Sequence, residues 1–316
     1  MAESRTRGWQ LAAGAVLALA VLAPVPAFVS DYVVSLLLII FADIAMATAW
    51  SFFSGTTRYI SLATAAFVGV GSYATALLIS EVPLPVALAA SALAGFVLAL
   101  LVGLSTLRLR GVYFVVFTFG LTELIKQLVI WYEVNENKTM LRLVFADVSS
   151  TLLYEILLGL AVLTVAGTWA LSHTRLGFGL RAIGEDETVA RHTGVNTTRV
   201  KILVFAGSAA VIAVAGAALS LRYTYIDPNV AFNSITSFNI LIMALLGGPG
   251  RAWGPMLGVV PLVLLSEVLS GSFPHYFSIA LGLCFVVIVY FLPGGVARVL
   301  ERLARSLRGA RREGMS

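Results

Sequence analysis

The chain has 316 residues, of which 59% are hydrophobic types and only 12% are Asp, Glu, Lys or Arg. Soluble domains contain about 45–50% apolar residues even when glycine is counted, and disordered chains combine low hydrophobicity with high charge, so both classes are excluded. The mean hydropathy is +0.95, and the apolar residues occur in unbroken runs. Such runs favour transmembrane helices over a transmembrane β-barrel, whose strands alternate apolar and polar residues.

The apolar runs predict an all-α, polytopic transmembrane protein of about ten spans, since a helix needs roughly 20 apolar residues to cross a bilayer. The whole chain, residues 1–316, then forms a single transmembrane domain. The first run resembles a signal peptide, but its length and the span that follows at once favour a retained helix. We place the spans at 8–29, 31–54, 60–80, 83–107, 111–132, 149–172, 201–222, 234–248, 254–271 and 275–293.

Lys and Arg residues divide unequally between the two sides of these spans. With the N-terminus in the cytoplasm, 17 of the 21 basic residues fall on the cytoplasmic side and three fall outside, while Lys126 lies within a span. Cytoplasmic loops of membrane proteins carry such an excess. We therefore interpret the net charge of +5 as a record of topology, with both termini and a basic tail at 294–316 in the cytoplasm. It does not indicate a surface for nucleic acid.

Several charged residues fall inside the predicted spans, where a charge costs roughly 2.5–3.5 kcal/mol on insertion scales. Asp43 lies 12 residues after Asp31, about 18 Å along its helix. We expect it in a transport pathway or at a subunit interface. Glu123 and Lys126 are spaced i, i+3 and therefore share a helix face. They form either a structural pair or a pair that lines a pathway.

Only two segments on the outside have any length, 133–148 and 223–233. The second contains Asp227-Pro228-Asn229, a sequence typical of a turn. Both segments contact a soluble partner or are plain connectors, and the sequence leaves this open.

The one substantial cytoplasmic loop spans 173–200. Glu185-Asp186-Glu187 precedes a short helical stretch at Thr188–Thr193, where acidic residues suit the N-terminal helix dipole. Gly194 fits a C-terminal cap, and Asn196 with the threonines after it fits the cap of the next span. The pattern predicts a short amphipathic helix between two tight turns, which is either a docking element for a partner or a connector.

Small residues recur four positions apart, a spacing that lets membrane helices approach closely. Ala209 and Ala213 have this spacing, as do Gly250, Gly254 and Gly258. The glycine-rich sequence at 247–250 breaks a helix, and its predicted position at the cytoplasmic face favours a tight turn over a substrate-binding interruption.

Five segments together resemble the permease family of branched-chain amino acid ATP-binding-cassette transporters. The segments occur in the order expected for the family, between about residue 50 and residue 260. The Arg-Leu-Arg-Gly-Val-Tyr-Phe sequence at 108–114 resembles the M-type of the two permease subunits. The segments are Tyr59–Tyr73, Leu107–Phe114 with Glu123 downstream, Gly179–Lys201, Val204–Leu219 and Leu246–Gly258.

The resemblance implies a heteromeric importer in a bacterial inner membrane. Two permease subunits form its pore, two cytoplasmic ATPases drive it, and an extracytoplasmic solute-binding protein delivers branched-chain amino acids or similar small organic solutes. ATP and Mg²⁺ then belong to the ATPase, and this chain needs no cofactor. The resemblance also implies that the cytoplasmic loop docks into a groove of the ATPase through Glu185, Asp186, Glu187, Ala190, Gly194 and Arg199.

The sequence contains few residues in the patterns typical of catalytic or metal sites. Cys284 is the single cysteine, the three histidines are far apart, and no GxxxxGK[ST] phosphate-binding loop is present. We therefore expect a transport subunit without catalytic residues or a metal site. A secondary transporter driven by an ion gradient is the alternative, because ten spans with charges inside the membrane fit that class as well.

Overall fold

The computed structural model describes residue 14, residues 19–109, 111–139, 141–144 and 148–272, and the single residues 279, 282, 283 and 286. Two short strands occur in this part of the chain, β1 (Arg142–Leu143) and β2 (Tyr225–Ile226). A 3₁₀ turn at Val25–Ala27 precedes α1, which continues into a π-helical turn at Ser51–Gly55. The helices are α1 Asp31–Trp50, α2 Thr64–Leu78, α3 Leu84–Thr106, α4 Val112–Asn137, α5 Ser150–Ser172, α6 Arg175–Glu185, α7 Glu187–His192, α8 Thr197–Ser220, α9 Pro228–Ala231, α10 Ser234–Gly247 and α11 Gly254–Ser272.

Seven helical segments of the described residues are long and apolar enough to cross a membrane. They are α1 with its π turn, α3, α4, α5, α8, α9 together with α10, and α11. They confirm an all-α polytopic membrane protein and match seven of the predicted spans. The shorter α2 matches one more, the third predicted span at 60–80. The structure describes residue 14 and residues 19–29 of the predicted span 8–29, and only four single residues of the predicted span 275–293. The tail 294–316 lies entirely outside the described residues, so a total of ten spans stays a prediction.

Polar caps and helix-breaking residues set the ends of these helices. The side chain of Ser149 accepts a hydrogen bond from the Leu152 amide at the start of α5, and that of Asn233 accepts from the Ile235 amide at the start of α10. Such caps satisfy amides that have no partner within the helix. Helix α10 ends at Gly247 and is followed by Gly248, whose φ of 109° suits glycine.

Helix α8 is the centre of the bundle and packs most extensively against α3 and α2, while α1 packs against α5. Ala209 and Ala213 lie at this centre: Gly71 of α2 directly contacts the Ala213 backbone, and a Cβ on Gly95 of α3 would lie 2.6 Å from that of Ala213. Because glycine lacks a Cβ, the helices approach to backbone contact.

The glycine series at the start of α11 serves two different purposes. Gly258 contacts the Met243 carbonyl of α10, and Gly254 is the first residue of α11. Gly250, however, lies before the helix in a turn with φ +82°. The prediction that all three share one helix-packing face is therefore wrong for Gly250, whereas the tight turn predicted at 247–250 is present.

The third predicted span, 60–80, begins later than the sequence suggested, because the chain is not helical between Arg58 and Ala63. Arg58 has φ +61°, a conformation that interrupts a helix. The backbone of Leu62 is satisfied by side chains: its amide donates to Thr118 Oγ1 (3.0 Å) and its carbonyl accepts from Ser237 Oγ (2.9 Å). Non-helical backbone is tolerated at membrane depth only where protein groups satisfy it in this way.

The two long segments predicted on the outside pair with each other. Strands β1 and β2 are antiparallel, with Arg142 opposite Ile226, and Arg142 Nε lies 2.7 Å from Glu133 Oε1. Asp227 caps α9 by accepting from the Asn229 amide, so the predicted turn is present. We call this side of the bundle the hairpin end and the opposite side, with α6 and α7, the loop end.

Candidate functional site

The loop end carries two consecutive helices where the sequence predicted one. Helix α7 (Glu187–His192) matches the predicted helix to within one residue, but α6 (Arg175–Glu185) lies in a stretch predicted as a turn. In α6, Leu180 and Ile183 are buried against the bundle and Leu176 is half-buried. Their i, i+4, i+7 spacing is the amphipathic signal that would have predicted this helix.

Helix α7 is held rigidly at both ends by local caps. Asp186 Oδ1 accepts hydrogen bonds from the amides of Thr188 (2.7 Å) and Val189 (3.2 Å). Gly194 follows the helix with φ +87°, and Asn196 Oδ1 accepts from the Arg199 amide (3.0 Å) at the start of α8. The sequence predicted the caps at Gly194 and Asn196, whereas for the acidic tripeptide with Asp186 it predicted only a favourable interaction with the helix dipole.

The six residues expected to dock an ATPase divide between two faces. Glu185, Asp186, Gly194 and Arg199 are exposed at the surface of the loop end. Ala190, by contrast, is buried at 2% exposure, and the Glu187 side chain is only 10% exposed. Ala190 and Glu187 therefore face the membrane helices and hold α7 in place, which leaves the exposed residues as the available contact surface.

Glu187 belongs to a buried polar cluster with Lys201 and Tyr59, which we call the anchor cluster. Lys201 Nζ donates to Glu187 Oε1 (2.8 Å), to Tyr59 Oη (3.2 Å) and to the Leu107 carbonyl (3.1 Å), and its side chain is 4% exposed. Tyr59 Oη in turn donates to Glu187 Oε2 (2.6 Å). Charge-assisted hydrogen bonds of this kind are about twice as strong as neutral ones, so the anchor cluster ties α7 to α8, to the end of α3 and to the segment after α1.

Sequence reasoning missed the anchor cluster, because it treated Lys201 as one of the basic residues of a solvated loop. The available signal was the position of Lys201 in an otherwise apolar helix, 14 residues after an acidic tripeptide. A lysine that cannot reach water from such a position needs acidic and carbonyl partners.

Glycines bring the loop-end elements into backbone contact. Gly184 of α6 directly contacts the Thr56 carbonyl, next to the π turn that ends α1. The Gly250 amide donates to Ser51 Oγ (3.1 Å) within that same π turn. Beside these contacts lies a cavity of about 220 Å³, the loop-end cavity, whose lining includes Thr48, Arg181 and residues of the turn before α11. Helix α6, the end of α1 and that turn therefore lie side by side at the loop end.

A larger cavity of about 510 Å³, the hairpin-end cavity, lies among α1, α2, α8 and α10. Asp43 of α1 and Asn239 of α10 are polar residues of its wall, and Arg222 and Asp227 lie where the chain crosses the hairpin end. Much of the remaining lining is aliphatic. Asp43, predicted for a pathway or an interface, is thus part of a cavity wall.

Glu123 and Lys126 form an ion pair, as their spacing suggested, and Ser234 Oγ donates to Glu123 Oε1 (3.0 Å). The pair therefore joins α4 to the start of α10, and it is not part of the lining of either cavity. At the start of α1, Tyr32 Oη donates to Glu267 Oε1 of α11 (2.7 Å).

In the described part of the chain, no group of three His, Cys, Asp or Glu side chains is placed to hold a metal ion. Cys284 and His275 lie outside the described residues. The arrangement is therefore one of cavities, rigid contacts and a capped surface helix.

The family model and the individual relatives that match this chain indicate the same family. Residues 32–289 match the family described as branched-chain amino acid transport system, permease component. The high-affinity branched-chain amino acid transport system permease protein LivM of Salmonella typhimurium is 28% identical over 279 residues, which cover 77% of this chain and 64% of that protein. LivM of Escherichia coli K12 is 27% identical with the same coverage.

A second kind of permease also matches. LivH of Salmonella typhimurium is 33% identical over 136 residues, 42% of each chain. The matched part of this chain spans less than two thirds of the length of the LivM proteins. No solved structure matches the chain.

Proposed function

Since the chain belongs to the family of branched-chain amino acid transport permease components, we propose that it is one of two permease subunits of an ATP-driven importer. Its substrates are branched-chain amino acids or similar small organic solutes. A second permease subunit, two cytoplasmic ATPases and an extracytoplasmic solute-binding protein complete the assembly in a bacterial inner membrane. Relatives named as both LivM and LivH permeases support pairing of two permease types.

The observation that carries the proposal is the anchored helix α7 on the surface of the loop end. ATP hydrolysis in a separate subunit moves a permease only if that subunit pushes on a rigid element joined to the membrane helices. Helix α7 has capped ends, and the anchor cluster joins it to α8, the centre of the bundle. A push on α7 is therefore delivered directly to the helix that packs against α2 and α3.

The charge distribution supports the orientation in this proposal. Of the basic residues, 17 fall on the side of the loop end in the ten-span arrangement and three on the side of the hairpin end. By the positive-inside rule the loop end is cytoplasmic. The exposed residues Glu185 and Asp186 then face the ATPase, and the paired strands β1 and β2 face the binding protein.

The two cavities support a transport role. The two cavities share α1 in their walls: Met46 lines the hairpin-end cavity, and Thr48, two residues later, lines the loop-end cavity. Only a short stretch of α1 separates them. Alternating access needs a barrier of this kind between an outer and an inner cavity.

The proposal is tested by purifying both permease subunits with the candidate ATPase, reconstituting the complex in liposomes and supplying the candidate solute-binding protein. We expect ATP-dependent leucine uptake that is lost when the phosphate-binding lysine of the ATPase is replaced, and that a protonophore leaves unchanged. Uptake that survives the ATPase replacement and disappears with the protonophore would establish the secondary transporter instead.

A further inference from the structure

We propose that the hairpin-end cavity is a binding site for the transported solute, in which Asp43 binds the ammonium group of an aliphatic amino acid. This inference rests on the proposed function, from which it takes the class of substrate. It adds the location of a site within the membrane and the residue that recognises the charged end of the solute.

The position of the cavity suits a solute that arrives at the hairpin end. Four membrane helices form its walls, and the segment with Arg222 and Asp227 lies at its outer side. Asp43 lies about 18 Å along α1 from Asp31, far from that outer side. The volume of about 510 Å³ falls within the roughly 300–1,000 Å³ of ligand pockets.

Asp43 differs from Glu123, Glu133 and Glu187 because it has no partner among the described residues. Glu123, Glu133 and Glu187 each form an ion pair with a basic side chain. Within the part of the chain that the structure describes, Asp43 forms neither a hydrogen bond nor an ion pair. An acidic residue at membrane depth is costly and marks a functional site by default. A cationic group entering the cavity supplies the missing partner.

The surroundings of Asp43 select the kind of cation. Ile39 and Met46 lie one turn to either side of it on the same face of α1, and Val68 faces the same cavity from α2. These side chains suit an aliphatic chain, and the Asn239 amide offers a donor for a carboxylate. A metal ion would need several oxygen ligands, and no such group of acidic residues occurs among the described residues. An aliphatic zwitterion matches all of these features.

The test measures protection of a cysteine in the cavity wall. Thr236 lines the cavity from α10, and Thr236→Cys in a Cys284→Ser background places one thiol there. The permease–ATPase complex in nanodiscs is treated with neutral methyl methanethiosulfonate, with and without leucine. We expect leucine to slow modification, and 4-methylpentanoate, which has the same side chain and carboxylate but no ammonium group, to leave the rate unchanged.

Asp43→Asn in the same background should raise the leucine concentration for half-protection about tenfold or more, because a charged hydrogen bond is lost. Asp31→Asn, the same substitution at the start of the same helix, is the matched control and should leave it unchanged. Equal protection by leucine and 4-methylpentanoate, or protection unaltered by Asp43→Asn, refutes the role of Asp43. The first of these comparisons uses no variant at Asp43 and therefore does not depend on how that variant folds.

ATP-dependent uptake is measured on the same preparations, so that the two proposals fail separately. If leucine is taken up with ATP but does not slow modification of the cysteine, the solute site is wrong and the importer proposal stands. If leucine protects the cysteine but uptake does not depend on the ATPase, the importer proposal fails and the site remains.

Discussion

Replacing Glu187 by alanine should release helix α7 from the bundle without unfolding the bundle. The substitution removes the charged partner of Lys201, whose side chain is only 4% exposed. Removing one partner of a buried ion pair costs about 3–5 kcal/mol. Lys201 Nζ keeps two acceptors, Tyr59 Oη and the Leu107 carbonyl, so we expect the lower value, about 3 kcal/mol.

A loss of about 3 kcal/mol in local stability corresponds to a roughly 100-fold larger open population of the segment. Trypsin reports this population, because cleavage follows the opening equilibrium when opening and closing are fast. The exposed Arg191 and Arg199 flank the end of α7 and are the cleavage sites to follow by mass spectrometry. We expect cleavage there to be about 100-fold faster in the Glu187→Ala variant.

Two further variants decide whether the anchor cluster is the cause. Glu185→Ala removes an exposed acid next to α7 and should change cleavage by less than about threefold, because surface substitutions usually stay within ±0.5 kcal/mol. Glu187→Gln combined with Lys201→Met removes both charges and should recover most of the loss. The reasoning would be refuted if trypsin cleaved the Glu187→Ala variant at the wild-type rate. It would also be refuted if the double variant were cleaved as fast as Glu187→Ala.

Three other predictions follow from the same structure. Glu185→Gln with Asp186→Ser removes two exposed charges but keeps a capping side chain, so ATPase association in a pull-down should weaken about three- to tenfold at unchanged thermal stability. Gly71→Ala should destabilise the purified protein by about 1–3 kcal/mol, since its Cβ meets the backbone of α8, whereas Gly207→Ala, on an open helix face, should not. Ser237→Ala removes the acceptor of the buried Ala65 amide and one of the two side-chain donors to the Leu62 carbonyl, and it should cost about 1–3 kcal/mol in mixed-micelle unfolding.

Each of these predictions has an outcome that contradicts it. Unchanged association of the doubly substituted loop would exclude Glu185 and Asp186 from the ATPase contact. Equal stability of the two glycine variants would mean that α2 and α8 do not meet at Gly71. A neutral effect of Ser237→Ala would show that water or another side chain satisfies the freed groups.

The elements that the sequence predicted correctly depend on local signals. The seven long spans follow from continuous hydrophobicity. The cap at Asn196 follows from a side chain that accepts from an amide three residues away, and the one at Gly194 follows from the positive φ that glycine adopts readily. The meeting of Glu123 with Lys126 is also local, since both lie on one turn of one helix. Helix α6 was missed, although its Leu176, Leu180 and Ile183 carry a local amphipathic signal.

The features that could not be predicted join distant parts of the chain. Tyr59 and Lys201 are 142 residues apart, and Glu187 lies 128 residues from Tyr59. The start of α2 at Thr64 likewise depends on Ser237, more than 170 residues away, which satisfies the backbone of Leu62. Hydropathy describes whether a segment enters the membrane and says nothing about which side chains meet there.

The sequence by itself determined the class of protein, the approximate positions of the described spans and the family, because hydrophobicity and short motifs are properties of contiguous residues. Only the tertiary structure decided which acids are paired, that Asp43 has no partner among the described residues, and that it lines a cavity. The reason is physical. Lipid tails are as apolar as the side chains of a neighbouring helix, so apolar residues look alike in sequence whether they face lipid, another helix or a solute.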